Sequence, residues 1–432
     1  MLFNSYVFIL FFLPLTLLLY FGANRIGKTK LAQFFLIMLS LYFYSYFHLN
    51  YLLIIIASVI FNYVCSRMII KRNQDKYAKL LMAFGILANV GVIFYFKYFN
   101  FFLENVNMIF GSSLSLKTIL MPLGISFFTF QQISYLVDSY RGETGGYDFA
   151  EYALFVVFFP QLIAGPIVLH QEMIPQFRDA RRKVFNQDKM AKGVWWLASG
   201  VASMFGFELP QNFNSPYKAT SISDFWDRWH MSLSRFLQKY IYIPLGGNRK
   251  GMVRTLLNIL IVFLISGIWH GAAWTFVVWG ILHGMASVIH RLIAPAWKKI
   301  PKVLTRLMTF LFVNFTWIFF RAESFEQIKV LFANLFKPFS ISPVLGLQEQ
   351  FHYLEFTYLA DHITFLENLF EKYPGIPMWI VLVIALFIAL VSHNCWEKKF
   401  SPTILNAIGS IILLVWSIMS FSGISIFLYF NF

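Results

Sequence analysis

"TLLNILIVFLISGIWHGAAWTFVVWGILHGMASVI", residues 255–289, contains no Asp, Glu, Lys or Arg. A straight α-helix of that length runs about 50 Å, well beyond the ~30 Å hydrocarbon core of a bilayer. The run must bend, and Ser266–Gly271 is the predicted place, because Gly267 and Gly271 remove side chains on either side of Trp269 and His270. His270 then sits recessed in the membrane. An ionisable side chain is expensive there, and a functional role is the first expectation. The alternative is a histidine hydrogen-bonded between helices for packing. His283, in "LHG", is a weaker candidate of the same kind.

The rest of the chain has the same character. Of 432 residues, 58% are hydrophobic and only 13% charged, about half the charge of a soluble domain. Charge-free runs such as Tyr51–Phe61 and Met378–Val391 recur. The chain reads as an all-α polytopic membrane protein with roughly ten to twelve segments long enough to cross or enter a bilayer. No long polar stretch separates them, so 1–432 reads as a single membrane domain. "SYVFILFFLPLTLLLYF" has no basic region before it and no small-residue cleavage site after it, so it reads as a first span. Cys65 and Cys395 have no disulfide or metal spacing. The net charge of +15 is carried by short loops between apolar runs. That distribution follows the positive-inside rule and argues against nucleic-acid binding.

Loop charges give an orientation with the N-terminus outside. Arg25, Lys28 and Lys30 mark the first inside loop, and Arg67, Lys71, Arg72, Lys76 and Lys79 the next. The alternation fails at 150–170, "AEYALFVVFFPQLIAGPIVLH", because the loop after it is again basic. A re-entrant segment resolves the conflict, broken at Pro160, Gly165 and Pro166. Broken backbone at membrane depth lines a cavity or is covered by protein, so Pro160, Gln161, Gly165 and Pro166 are predicted cavity-lining residues. One kinked span with a basic outside loop is the alternative. Residues 193–208, with an apolar part of only about 14 residues, are too short to cross. Residues 321–377 read as an extracytoplasmic loop region with short amphipathic pieces; they hold Glu349, Glu355, Asp361, Glu367 and Glu371. Lys398 and Lys399 mark the last inside turn, before the terminal "ISIFLYFNF".

Residues 221–251, "SISDFWDRWHMSLSRFLQKYIYIPLGGNRKG", read as one amphipathic helix. It starts at Ser221–Asp224 and stops at Pro244–Gly247. Phe225, Trp229, Leu233, Phe236 and Tyr240 share the apolar face. Arg228, Ser232, Arg235 and Lys239 form a basic stripe, and His230 lies at the margin near Trp226 and Leu237. Such a helix either anchors at a membrane interface or walls a site that attracts an anionic donor, a phosphate-bearing thioester for example. Trp226, Asp227, Arg228, Trp229, Arg235, Trp269 and Gly271 are the predicted donor and substrate path. A neutral imidazole takes a proton from a hydroxyl near pH 7. No Ser or Cys with an evident partner and no metal cluster accompanies it. Direct transfer to a hydroxyl, with His270 as general base and no acyl-enzyme, fits this set.

Four stretches together, "FWDRWHMSLSRFLQKYIYIPLGGNRKG", "SGIWHGAAWTFVVWGILHG", "FFPQLIAGPI" and "ISFFTFQQISYLVD", resemble the membrane-bound O-acyltransferase (MBOAT) family. The likeness is to its bacterial alginate and peptidoglycan O-acetyltransferase branch; the D-alanyl transfer protein of teichoic acid modification is more distant. The resemblance runs from the first span to "FLYFNF". It implies a ring of membrane helices with re-entrant elements and a central funnel. His270 matches the family's catalytic histidine, and His230 a second histidine of the catalytic region. The implied donor is a cytoplasmic thioester, acetyl-CoA, with no bound cofactor and no metal. The implied partners are membrane lipid, a cell-envelope polysaccharide acceptor and a periplasmic acetyltransferase of the SGNH serine-hydrolase type. The implied location is the bacterial cytoplasmic (inner) membrane. One departure stands out. The family pattern has further helices before "MFGFELPQNFNSPY", and here "WWLASG" runs straight into "VASMFGFELP". The resemblance thus implies that some tens of residues, about two spans, are missing, and that residues 193–208 are the junction of two helix fragments. That departure keeps two other readings open, an inactive acyltransferase-like docking protein and a transporter.

Overall fold

The computed structural model describes residues 1–432 except 164, 196, 336, 338–353, 374, 395, 398–402 and 420–432. Cys395, Glu349, Lys398, Lys399 and "ISIFLYFNF" therefore lie outside the described residues. The described chain is helical and carries no strand. Among the described residues six helices are long and apolar enough to cross a membrane: Phe8–Arg25, Asn50–Lys71, Lys76–Phe110, Gly251–His270, Trp274–Trp297 and Lys302–Arg321. Four more, Thr29–Ser45, Ile125–Tyr140, Ile376–Leu390 and Ile404–Met419, are shorter. Only 17% of the apolar window in Lys76–Phe110 is buried by protein. Its outward residues include Phe84, Leu87 and Phe102, all exposed. A face of that size and polarity is stable only in lipid. This is a multi-pass membrane protein.

The chain divides into two compact units. The first holds Met1–Asn212, His230–Ala272 and Lys399–Phe432; the second holds Phe213–Trp229 and Ala273–Lys398. In the first unit, Asn50–Lys71, Lys76–Phe110 and Ile125–Tyr140 are locked by a buried amide network. The Asn89 amide donates to Asn62 Oδ1 at 2.6 Å and the Asn62 amide to Asn89 Oδ1 at 3.2 Å. Asn62 also donates to Gln132, whose Oε1 accepts from Ser58 Oγ at 3.0 Å. Interhelical amide pairs of this kind hold helices together where lipid gives no hydrophobic driving force. Gly85 permits the close approach: a Cβ there would meet Leu136 Cδ1 at 2.7 Å.

The re-entrant expectation for 150–170 meets a short broken element. A nine-residue helix, Phe149–Val157, begins with a capping box between Asp148 and Glu151. The chain kinks at Phe158, forms one turn, Phe159–Leu162, with Pro160 in its first positions, and continues to His170–Arg178. Arg178 closes the excursion on its own start, with Nε 2.5 Å from Glu151 Oε1 and Nη2 2.6 Å from Oε2. Burial pushes the Glu151 carboxyl up, but the Arg178 guanidinium and the Asp148 N–H outweigh it and hold the carboxyl below its usual range. The segment thus leaves and returns to one place.

Residues 193–208 fall in two short helices, Gln187–Trp195 and Leu197–Met204, packed tightly on each other. Gly193 and Gly200 make the contact: a Cβ on Gly200 would lie 2.0 Å from Gly193 O. At 1.5 Å per residue neither arm crosses a bilayer. The described part of 321–377 carries the short pieces Phe325–Leu335, Leu354–His362 and Thr364–Lys372.

Two expectations are corrected. The 255–289 run breaks at Gly271–Ala273, at the edge of the predicted window, and both halves reach spanning length because they extend outward to Gly251 and Trp297. The stretch 221–251 is not one helix. Ile222–Trp226 ends at Asp227, and Met231–Leu237 starts from His230 in the left-handed region, φ 47° and ψ 49°.

Candidate active site

The first unit contains a cavity of about 540 Å³, and both Trp269 and His270 line it. His270 is the last residue of the Gly251–His270 helix, and Gly271 behind it is extended. A helix end leaves its last carbonyls without intrahelical donors, and such groups are costly when protein buries them unpaired. Two residues of the Lys76–Phe110 helix supply the donors. Lys97 Nζ donates to Trp269 O at 2.7 Å and to His270 O at 2.9 Å. Tyr98 Oη donates to Ile268 O at 2.7 Å. The ammonium also meets the negative end of the helix dipole. Lys97 lies in a π-helical turn, Phe94–Tyr98, a wider turn that is often found at functional sites.

The Trp269 indole is fixed by aromatic contacts within the same unit. Phe130 stacks on it at 5.3 Å, and Phe127 meets it edge-on at 5.5 Å. Phe130 in turn stacks on Phe236 at 4.3 Å. His230 is buried, with its ring 5.9 Å from Trp269 and 6.2 Å from His270. Burial pushes its imidazole down to about 4, so it is neutral at pH 7. Its left-handed backbone costs about 1–3 kcal/mol and is over-determined by its neighbours. Asn212 O accepts from the Met231 N–H at 2.9 Å, and Asn212 Oδ1 accepts from Ser232 N at 3.1 Å and Oγ at 2.8 Å. Ser232 Oγ also accepts from Ile167 N at 2.9 Å.

Of the predicted site residues, this arrangement unites His270, His230, Trp269 and Gly271. The basic stripe is already paired. Arg235 forms a bidentate pair with Glu172, at 2.5 and 3.0 Å. Lys239 lies 3.1 Å from Asp138 and 2.8 Å from Glu143. In the second unit, Arg228 pairs with Asp224 at 2.6 Å. The stripe is therefore not a free basic surface. The second unit also holds Trp226, Asp227 and Trp229. Trp226 Nε1 donates to His283 Nδ1 at 3.2 Å, Trp229 stacks on Phe225, and Asp227 is exposed. Pro160 and Gln161 are buried in packing, and Gly165 lies against the Gln161 backbone. Pro166 is half-buried. From this segment Ile163 lines the cavity.

Lys97 was the residue to find by sequence reasoning. It is the one charge between Lys79 and Glu104, twenty-four residues of otherwise uncharged sequence. The rule that singles out His270 applies to it equally. Asn212 offers no such signal.

The profile of the MBOAT, membrane-bound O-acyltransferase family, matches residues 189–327, which include both histidines. A peptidoglycan O-acetyltransferase of Helicobacter pylori is 34% identical over 524 aligned positions, covering 100% of this chain and 98% of the relative. The chain belongs to the membrane-bound O-acyltransferase family. It is an acyltransferase of that family by descent. A "Probable alginate O-acetylase AlgI" of Pseudomonas aeruginosa is 33% identical over 78% of this chain and 75% of its own length. A teichoic acid D-alanyltransferase of Bacillus subtilis is 28% identical over 31% and 38%. The Helicobacter alignment has 524 positions and this chain supplies 432, so 92 positions of that MBOAT protein face no residue here.

Proposed function

We propose that this chain transfers an acetyl group from a cytoplasmic thioester, acetyl-CoA, for O-acetylation of a cell-envelope polysaccharide, peptidoglycan-like or alginate-like. It works in the bacterial cytoplasmic membrane. The observation that carries the reading is His270, placed at a broken helix end in a cavity beside a buried second histidine, in a chain similar over its whole length to a peptidoglycan O-acetyltransferase. His270 takes the proton of an acceptor hydroxyl. The hydroxyl oxygen bonds to the thioester carbonyl carbon, the C–S bond breaks, and the thiolate leaves with the proton from His270. Ester and free thiol are the products. The acceptor is either the polysaccharide itself or a periplasmic SGNH-type acetyltransferase that completes the transfer.

The test is ester-linked acetate released from the envelope by mild base, in cells with the intact gene, a null and His270→Ala. Loss in both altered strains supports the reading. Acetate unchanged in all three sinks it and leaves the docking-protein reading, which the 92 unmatched positions favour, ahead of transport.

A further inference from the structure

The ammonium of Lys97 does more than cap a helix. It has three N–H bonds, and two are directed at Trp269 O and His270 O. A tetrahedral nitrogen turns its third N–H away from both acceptors. Among the described residues no N or O acceptor takes that third bond; the ring centroids of Tyr98 and Trp269 each lie 6.0 Å from Nζ, and Lys97 lines the same cavity as His270. The two carbonyl bonds therefore act as a jig. They fix an N–H donor in the wall from which the proposed base works, with its geometry set by the backbone of that base.

We propose that Lys97 is a catalytic residue, the donor that receives the acyl carbonyl oxygen as negative charge builds on it. This rests on the transfer reading above. As the acceptor oxygen adds to the carbonyl carbon, the C=O electron pair moves onto its oxygen, and the Lys97 N–H⋯O contact strengthens. When the C–S bond breaks, the pair returns and the contact relaxes. No proton changes owner at Lys97. Charge that develops in a water-poor site is where a fixed donor gives its largest rate effect. The cavity's lining is mostly apolar; Tyr44, Tyr51, Met121 and Phe127 are among it. The same geometry gives Lys97 a second role: its movement also moves the backbone of His270.

The experiment compares the full chain with Lys97→Gln, Lys97→Arg and His270→Ala, purified in lipid nanodiscs. Thiol release from acetyl-CoA is followed, with a chitooligosaccharide as hydroxyl acceptor, and rates are taken per folded molecule from a thermal melt. Glutamine keeps two N–H donors for the carbonyls but has no charge and no third donor. Arginine keeps the charge and spare donors. The expected result is kcat down about 100-fold in Lys97→Gln, with KM for acetyl-CoA within about threefold, and at least about tenfold of that loss recovered in Lys97→Arg. Equal kcat in the Gln and Arg variants, or a Gln variant within about threefold of the parent, overturns the proposal. So does a lysine whose replacement by either residue leaves no folded protein, since Lys97 is then a cap alone. A parent chain no faster than His270→Ala sinks the transfer reading, and this one with it; an active parent with an equally active Lys97→Gln sinks only this one.

Discussion

His270 and His283 lie thirteen residues apart in one uncharged run, and the structure gives them opposite situations. His283 is fully buried in the second unit with both ring nitrogens engaged. Trp226 Nε1 donates to its Nδ1, so Nε2 carries the hydrogen and donates to Thr316 Oγ1 at 2.9 Å. Thr316 passes its own hydrogen to Val313 O. This is a closed chain of donors and acceptors, and it fills a ring slot between Trp279 and Phe312. His270 ends its helix, lines a cavity and has its backbone held by another helix. The same residue type is enclosed packing inside a continuous helix and a cavity-lining group where the helix stops.

Substitution separates the two. His270→Ala is expected to lower transfer by about 10²–10⁴-fold with little change in melting temperature, as removal of a general base does; acetate release and a detergent melt measure both. Retained transfer would make the two histidines equivalent and break the comparison. His283→Ala should do the reverse. It opens a ring-sized void and removes the partner of Trp226 and Thr316, costing about 3 kcal/mol. Transfer per folded molecule should stay within about threefold, read by kinetics on the folded fraction.

Gly124 sharpens the cavity side of the comparison. It lines the cavity at φ +70°, and a Cβ there would meet Leu162 O at 2.6 Å. Gly124→Ala should cost about 1–2 kcal/mol, visible as a lower melting temperature, and reduce transfer without touching the His283 region. The smallest effect concerns pH. Glu151 is held below its usual range by Arg178, so the stabilisation is present above an ordinary glutamate value of about 4.3 and is lost as pH falls through the lower folded value. Acid melts of the parent should show a loss of well under 1 kcal/mol there, and Glu151→Gln should flatten it while leaving both histidines in place.

Much of this was legible before any coordinates. Uncharged runs located the long apolar helices, and the break in 255–289 fell at the edge of its predicted window because glycine and a length limit both pointed there. His270 was legible for its cost in lipid. Other features were not, for physical reasons. Periodicity over 221–240 counts which side chains share a face, and it is blind to one residue turning left-handed, as His230 does. A stripe of cations looks free until its partners are found, and Glu172 and Asp138 lie 63 and 101 residues from Arg235 and Lys239. Charge alternation did locate the excursion at 150–170, but which of its residues would reach the cavity depended on a kink at Phe158 that proline positions alone do not fix.

The π-helical turn at Phe94–Tyr98 carries a consequence for chain length. Asn89 is tied to Asn62 on one side of it, and Asn100 is tied to Lys117 on the other, donating at 2.7 Å and accepting at 3.0 Å. Between those two moorings the residue count is a setting, as on a combination lock. Deleting one residue between Asn89 and the turn swings everything beyond it by about 100°, unless the wide turn gives up its extra residue and closes to an ordinary α turn. In the first case Lys97 and Tyr98 face away from the carbonyls they now hold; in the second the wide turn that presents them is lost. Variation in this helix is therefore tolerated in residue type on its lipid face, and far less in number.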